Sequence, residues 1–396
     1  MNDTVYDIWL SAAIAPGGRY EELLHTFGSA EEVFRATEEE LVLSGIGPRL
    51  LSGLHGHDLR DSVRIAEYCA REGIDILVRG KPEFPEMLSD IPTPPYLLYV
   101  RGTLPDMAKE LGVGVVGTRR MTSYGMQNAY RISYELAAAG AVVVSGMARG
   151  IDGVAAAAAL EAGKPTVAVI GTGLDTAYPS EHAQLLREIS QNGAVISEFY
   201  PGSEPSSKHF PIRNRLISGL SRGLFVVEAG RRSGAMLTAG NAREQGKDVF
   251  ALPGRIGDAM SEGPNTLLRQ GAHSVCDASD ILSFYEGVYP YDRDAYARST
   301  VCSGFSPEKL KKHGVWLASD AEDVAYAQYS EARETEGTLP EDGKLSAFYA
   351  RMPKRKAVTP DYFAQFGYRA DEAISMLTLL EITGFVRSIP GGFYQR

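Results

Sequence analysis

Seven short apolar runs recur between residues 111 and 285: GVGVVG (112–117), AVVVSG (141–146), PTVAVIG (165–171), GAVISEF (193–199), GLFVVEA (223–229), DVFALPG (248–254) and AHSVCD (272–277). Helix-like spans such as YGMQNAYRISYELAAAG and GIDGVAAAAALEAG lie between them. A strand that is apolar on both faces has to be covered on both faces. The alternation therefore predicts an α/β domain with a doubly wound, mostly parallel sheet, wrapped by helices on either side.

The flanks follow other rules. Residues 1–80 carry apolar positions three or four apart in YDIWLSAAI, YEELLHTF, AEEVFRAT and EEELVLSG, which predicts short helices. Within them LSGIGPRLLSGL (43–54) fits both a helix-hairpin-helix, whose glycines let backbone amides approach a phosphate, and a plain helix–helix turn. The proline-rich PEFPEMLSDIPTPPYLLYVRG leads into the sheet domain, placed at 81–285. Residues 286–343 lose the strand–helix rhythm and read as an acidic, extended or weakly helical linker. In 344–396, VTPDYFAQFG offers Thr359 as N-cap with Pro360 behind it, DEAISMLTLLEITG has helical spacing, and FVRSIPGGFYQR reads as a hairpin. Helix, helix and β-wing is the winged-helix order.

At 396 residues the chain is long enough for roughly two to four domains. Cys69, Cys276 and Cys302 are far apart and form no C-x-x-C pair, so neither a disulfide framework nor a zinc ribbon is expected. The N-terminus has no basic stretch before an apolar run, and no apolar stretch approaches the ~20 residues a membrane span needs. A reducing cytoplasmic setting is the expectation. The net charge of −10 argues on its own against nucleic acid, but the charge is segregated. Residues 205–232 hold six cations and one anion (+5), whereas 318–343 hold eight acids and Arg333 alone (−7). A ligand feels the local field.

In an open parallel sheet, ligands bind beyond the carboxyl ends of the strands. The loops there are GTRRMTSYG, SGMARGID, GTGLDTAYPS, HFPIRNR, EAGRRSGAMLTA and PGRIGD, rich in Gly, Ser, Thr and Arg. Such loops suit a polyanion held by backbone N–H groups and guanidinium forks. Gly112, Gly114 and Gly117 spell G-x-G-x-x-G, but the glycines lie in the strand rather than after it, so no dinucleotide site is expected. No H-E-x-x-H run, triad context or P-loop lysine occurs, and no metal or cofactor is expected. Asp152 reads as a helix-start cap and dipole partner. Glu228 reads as the partner of neighbouring arginines, and His209 as a packing residue. Arg119, Arg120, Arg149, Lys208, Arg213, Arg215, Arg231 and Arg232 remain, with Phe210, Tyr124 and Tyr178 as aromatic faces. Cations interleaved with rings are how unpaired strands are held.

These motifs, in order and spacing over about residues 80–280, resemble the bacterial DNA-processing protein family DprA, also called Smf. The resemblance implies a cytosolic, non-enzymatic homodimer that binds single-stranded DNA, protects it, and loads RecA during natural transformation. It also implies an extended Rossmann-like sheet domain, a helical SAM-like N-terminal domain and a C-terminal winged helix. It puts the DNA site on Gly117 and Arg119; on Ser145, Gly146 and Gly150; on Lys208, Phe210, Arg213 and Arg215; and on Ser233, Gly234 and Thr238, with Arg213 and Arg215 as phosphate clamps and Phe210 as a stacking platform, and the same loops add Arg120, Arg149, Asn214 and Arg232 to the candidate site. Where family members often have lysine before SG, Arg232 keeps the charge with a different donor geometry. The terminal helix carries Asp371, Glu372 and Glu381 and no cation, so protein contacts, or DNA contacts through PKRKA (353–357), are expected of it. The alternative is a nucleotide-binding or nucleotide-hydrolysing enzyme on the same kind of sheet. The P-G-G-x-G-T-x-x-E run of nucleotide phosphoribohydrolases is missing from the corresponding loop.

Overall fold

Near-continuous Val, Ile and Ala runs form the strands of a nine-stranded sheet: β1 (Ile74–Val78), β2 (Leu97–Gly102), β3 (Gly112–Val116), β4 (Val142–Ser145), β5 (Thr166–Ile170), β6 (Gly193–Ser197), β7 (Gly223–Val226), β8 (Asp248–Ala251) and β9 (His273–Ser274). The structure is a computed structural model and describes residues 3–18, 20–302, 304–315, 317, 343–353, 358–382, 386–389 and 393–395. The chain falls into two units, Met1–Ala318 and Ser319–Arg396.

The strand order is β1-β2-β6-β5-β4-β3-β7-β8-β9. The pairings from β6 through to β9 are parallel, while β1 and β2 add on antiparallel. From β3 the chain winds outward through β4, β5 and β6, then returns to add β7, β8 and β9 on the other side. Strand order thus reverses between β3 and β7, and a crevice at the carboxyl ends of those two strands follows.

Helices cover both faces. On one face α7 (Ser123–Ala138), α8 (Ile151–Glu161) and α9 (Ala183–Gln191) bury Ala129, Ile132, Val154 and Leu185 against Val113, Val115, Val143 and Val195. On the other α10 (His209–Gly219), α11 (Gly234–Glu244) and α12 (Glu262–Arg269) bury Leu216, Leu220, Ala239 and Leu267 against Val144, Val167, Ile196 and Val226. Alternate residues of one strand therefore feed two cores. The N-terminal helices pack into the first of these cores through Ile8, Trp9, Leu10 and Leu23, and β1 lies within the main sheet.

One expectation needs correcting. The described part of the expected extended or weakly helical linker, up to residue 317, is packed rather than free: α14 (Arg293–Cys302) packs on α7, and α15 (Pro307–Lys312) packs on α8. The acids that suggested a linker lie further on, whereas Phe305 meets Tyr130 edge-on (5.5 Å between ring centroids) and Leu310 and Val315 are buried. Burying these side chains supplies the stabilisation that the charge pattern alone did not anticipate. Residues 318–342 and 354–357 of PKRKA lie outside the described residues, as do the side chains of Asp371 and Glu381.

The second unit contains α16 (Gly343–Ala350), a short helical turn at Pro360–Phe366, α17 (Ala370–Ile382) and an antiparallel hairpin of β10 (Arg387–Ile389) and β11 (Phe393–Gln395). Phe348 stacks on Phe363 (4.0 Å) at its core, beside Leu377 and Leu380. Among the described residues no helix is long and apolar enough to cross a membrane, and no cluster of His, Cys, Asp or Glu is arranged to hold a metal.

Candidate nucleic-acid interface

The run SSKHFPIRNR begins α10 just beyond β6, with Lys208 as N-cap and Pro211 in the first turn. Proline suits that turn because its missing N–H would have had no partner there. The turn lays the Phe210 ring over Gly171 at the end of β5: a Cβ on Gly171 would stand 3.2 Å from the ring. Two guanidiniums flank the ring. Arg119, from the loop after β3, has its Cζ 5.3 Å from the ring centroid, and Arg213 has its Cζ at 5.9 Å. The Tyr178 ring lies 5.3 Å from it at a tilt of 34°. Arg119, Lys208 and Tyr178 are exposed.

Arg213 is 3% exposed, and its Nη1 and Nε are engaged inside the protein. Its Nη1 donates to Gly146 O at 2.7 Å and to Val169 O, and its Nε donates to Asn214 Oδ1 at 3.2 Å. Asp152, in the first turn of α8, accepts from Gly146 N at 3.2 Å. Burial pushes the Asp152 carboxyl up to about 6, against the pull of the Arg213 and Arg119 charges. Burial likewise draws Arg213 down to about 10, with Asp152 opposing. Arg213 thus ties the ends of β4 and β5 to α10 and holds a positive charge beneath Phe210.

The SGMARG loop is shaped by its own backbone. Met147 adopts φ 54°, a left-handed conformation unusual for a side-chain-bearing residue. The buried His182 holds it there, donating from Nδ1 to Met147 O at 2.9 Å. Gly150 (φ +78°) lies so close to the loop after β3 that a Cβ would stand 2.3 Å from Thr118 O. Ile151 N then donates to Thr118 O at 3.2 Å, which binds the two loops together.

Of the residues expected at the site, Gly117, Arg119, Gly146, Gly150, Phe210, Arg213, Asn214 and Gly234 form one connected set. Gly117 packs against Ile151, and Asn214 Nδ2 donates to Gly234 O at 3.4 Å, joining α10 to the start of α11. Arg232 and Gly234 are exposed at that start, and the Ser233 hydroxyl is sealed from solvent without a partner. Other positions are engaged inside the protein. Ser145 donates to Val115 O at 2.7 Å, and the buried Thr238 donates to Gly234 O at 3.1 Å. Arg149 is exposed but paired with Glu181. Arg120 is half-buried, with Nη2 sealed and unpartnered.

Arg215 does not join the set. It is 7% exposed and its Nη2 lies 2.8 Å from Glu198, which also accepts from Gly17 N at 3.2 Å. Two positions along a helix from Arg213, it points about 200° around the axis, toward the N-terminal helices rather than the strand ends. A phosphate clamp at this position would have to break a buried pair.

Glu228 also departs from expectation. Among the described residues it makes no ion pair with an arginine; it accepts from Thr122 N at 2.9 Å and Thr122 Oγ1 at 2.5 Å, at the N-terminus of α7. Because β7 is the neighbour of β3, the second residue after it faces the helix that follows β3, where the amide dipoles favour a carboxylate. His209 packs, stacking on Phe199 at 4.1 Å. His182 was invisible in the sequence: one histidine after a Tyr-Pro turn carries no signal of the loop it will hold.

A sequence profile described as DNA recombination-mediator protein A matches residues 75–286. The chain is 38% identical over 219 residues to the DNA processing protein DprA of Bacillus subtilis, covering 55% of this chain and 74% of that protein. The X-ray structure of DprA from Streptococcus pneumoniae superposes with a TM-score of 0.59 at 33% identity, covering 72% of this chain and 98% of that one. A structure of DNA processing protein A from Helicobacter pylori, described for its single-stranded DNA binding mode, aligns with a TM-score of 0.50 at 32% identity, covering 55% of this chain and 97% of that one. Profile, sequence and fold agree, and the chain belongs to the DNA recombination-mediator protein A family, the DprA (Smf) proteins.

Proposed function

We propose that this protein binds single-stranded DNA as a recombination mediator, with a base lying on Phe210 and the adjoining phosphates on Arg119, Lys208 and Arg232. The observation that carries the reading is the Phe210 ring held between two guanidiniums at the carboxyl edge of the sheet. A base can reach that ring only when unstacked, so an unpaired strand is favoured over a duplex. The N-termini of α8, α10 and α11 all point to this edge, because in a parallel sheet each helix starts where a strand ends, and their dipoles favour phosphate. In this reading Arg213 and Asn214 position the platform, and Arg215 supports the fold. The site performs no bond-making step.

Protection of incoming strands, loading of RecA during natural transformation and action as a homodimer are proposed from family membership. The C-terminal unit is proposed as winged-helix-like, with protein contacts assigned to its helix Ala370–Ile382, whose sequence carries Asp371, Glu372 and Glu381 and no cation. The direct test is fluorescence anisotropy of labelled oligo-dT. Phe210→Ala is expected to weaken binding by about 1–3 kcal/mol, the contribution of one stacked base. Equal affinity of Phe210→Ala and the unaltered protein would remove the site assignment.

A further inference from the structure

A cavity of about 770 Å³ opens at the crevice where strand order reverses, between the loops that follow β3, β7 and β8. It shares no residue with the Phe210 platform, and the loop 117–122 runs between the two: Arg119 faces Phe210, while Thr122 and Tyr124 line the cavity. A volume of this order suits a small ligand, and in doubly wound sheets this crevice is where nucleotides sit.

The walls are set in advance. Tyr124 is 46% exposed, and its hydroxyl is anchored by donating to Pro253 O at 2.7 Å. Asn265 braces the loop opposite through both Gly254 N (3.2 Å) and Gly254 O (3.0 Å). The chemistry is acceptor-rich. Glu228 lines the cavity, is 3% exposed and makes no ion pair among the described residues; Asp258 lines it as well. Arg255 also lines it and is exposed. Both Glu228 oxygens accept from Thr122, and a carboxylate oxygen has a second lone pair that a ligand N–H donor can meet. Guanine presents a ring N–H beside an exocyclic amine, and adenine and cytosine present an amine. Thymine has one N–H flanked by two carbonyls that the carboxylates repel.

We propose that this cavity holds an amine-bearing nucleobase, guanine in preference to thymine, stacked on Tyr124 with its edge toward Glu228 and its phosphate outside at Arg255. The base could be supplied by a free nucleotide or by a bound strand, and the test separates the two. The affinity of the full chain for dGMP and dTMP is measured by calorimetry, and its affinity for oligo-dT with and without one central dG by anisotropy. A preference of ~10-fold or more for the guanine member of either pair is expected, the scale of a good bidentate base contact. The first pair reports a free nucleotide, the second a base within the strand. Tyr124→Ala and Glu228→Gln should each abolish the preference and leave oligo-dT binding unchanged; the glutamine keeps one acceptor for Thr122 N, and urea denaturation checks that each variant is folded. Equal affinities in both pairs, or a preference that survives both variants, overturns the proposal. The Phe210 reading fails separately, through oligo-dT binding that is indifferent to Phe210→Ala.

Discussion

Arg215 Nη2 stands 2.8 Å from each carboxylate oxygen of Glu198, and both side chains are almost completely buried. Because Glu198 also accepts from Gly17 N, the pair joins α10 and the end of β6 to the turn after the first helix. Burial raises the Glu198 carboxyl, and the Arg215 charge and its hydrogen bonds oppose that rise. Removing one partner strands a buried charge. Arg215→Met is expected to cost about 3–5 kcal/mol in chemical denaturation, and Arg215→Met/Glu198→Leu to recover most of it. The folded fraction of the double variant should bind oligo-dT normally. A single variant of unaltered stability but lost DNA affinity would return Arg215 to the binding surface.

Much of this was legible in the sequence, for a physical reason. Strands buried on both faces must be apolar throughout, so the seven runs announced a parallel sheet and located the loops at its ligand-binding edge. The platform was legible too, since Phe210 and Arg119 sit in those loops. What could not be read was direction around a helix combined with long-range partners. Arg213 and Arg215 look equivalent in RNR, and only the position of Glu198 relative to Gly146 separates them. The role of Glu228 depended on β7 lying beside β3, which no local pattern reveals. The linker misreading came from letting charge in 318–343 speak for 286–317, where Phe305 and Leu310 are packed.

Gly150 offers a test of the loop junction. With φ +78° and no room for a Cβ beside Thr118 O, Gly150→Ala must push the SGMARG loop away from the loop that carries Arg119. A destabilisation of about 1–3 kcal/mol is expected, with a further loss of oligo-dT affinity measured where the variant is fully folded. Normal affinity in the folded variant would mean that the two loops need not be held together for binding.

His182 predicts a pH dependence. Burial lowers its folded-state value below the ordinary 6.5, so the unfolded chain binds the proton more readily. Its contribution to stability is complete above about pH 6.5 and is lost as pH falls through the folded value, at up to about 1.4 kcal/mol per pH unit. Asp152, raised by burial, acts in the opposite sense: its contribution to stability is greatest below 3.8 and lost as pH rises toward about 6. The two slopes overlap, so the difference between the unaltered protein and His182→Asn isolates the histidine. That difference should shrink as pH falls from 7 to 5 in urea denaturation; a constant difference would show that His182 does not titrate with unfolding.

Lys208 is exposed at the start of α10 and makes no ion pair among the described residues. If it meets a phosphate, Lys208→Gln should reduce the slope of log affinity against log salt by about 0.7 for an unpaired strand. An unchanged slope would place the strand away from this helix start.

The most direct measurement is photocrosslinking of an iododeoxyuridine-substituted oligo-dT, followed by peptide mapping. A base stacked on Phe210 predicts that the dominant crosslink falls on Phe210 or its neighbour Tyr178 and disappears in Phe210→Ala. Crosslinks confined to the C-terminal unit, or unchanged in Phe210→Ala, would contradict a strand held at the carboxyl edge of the sheet.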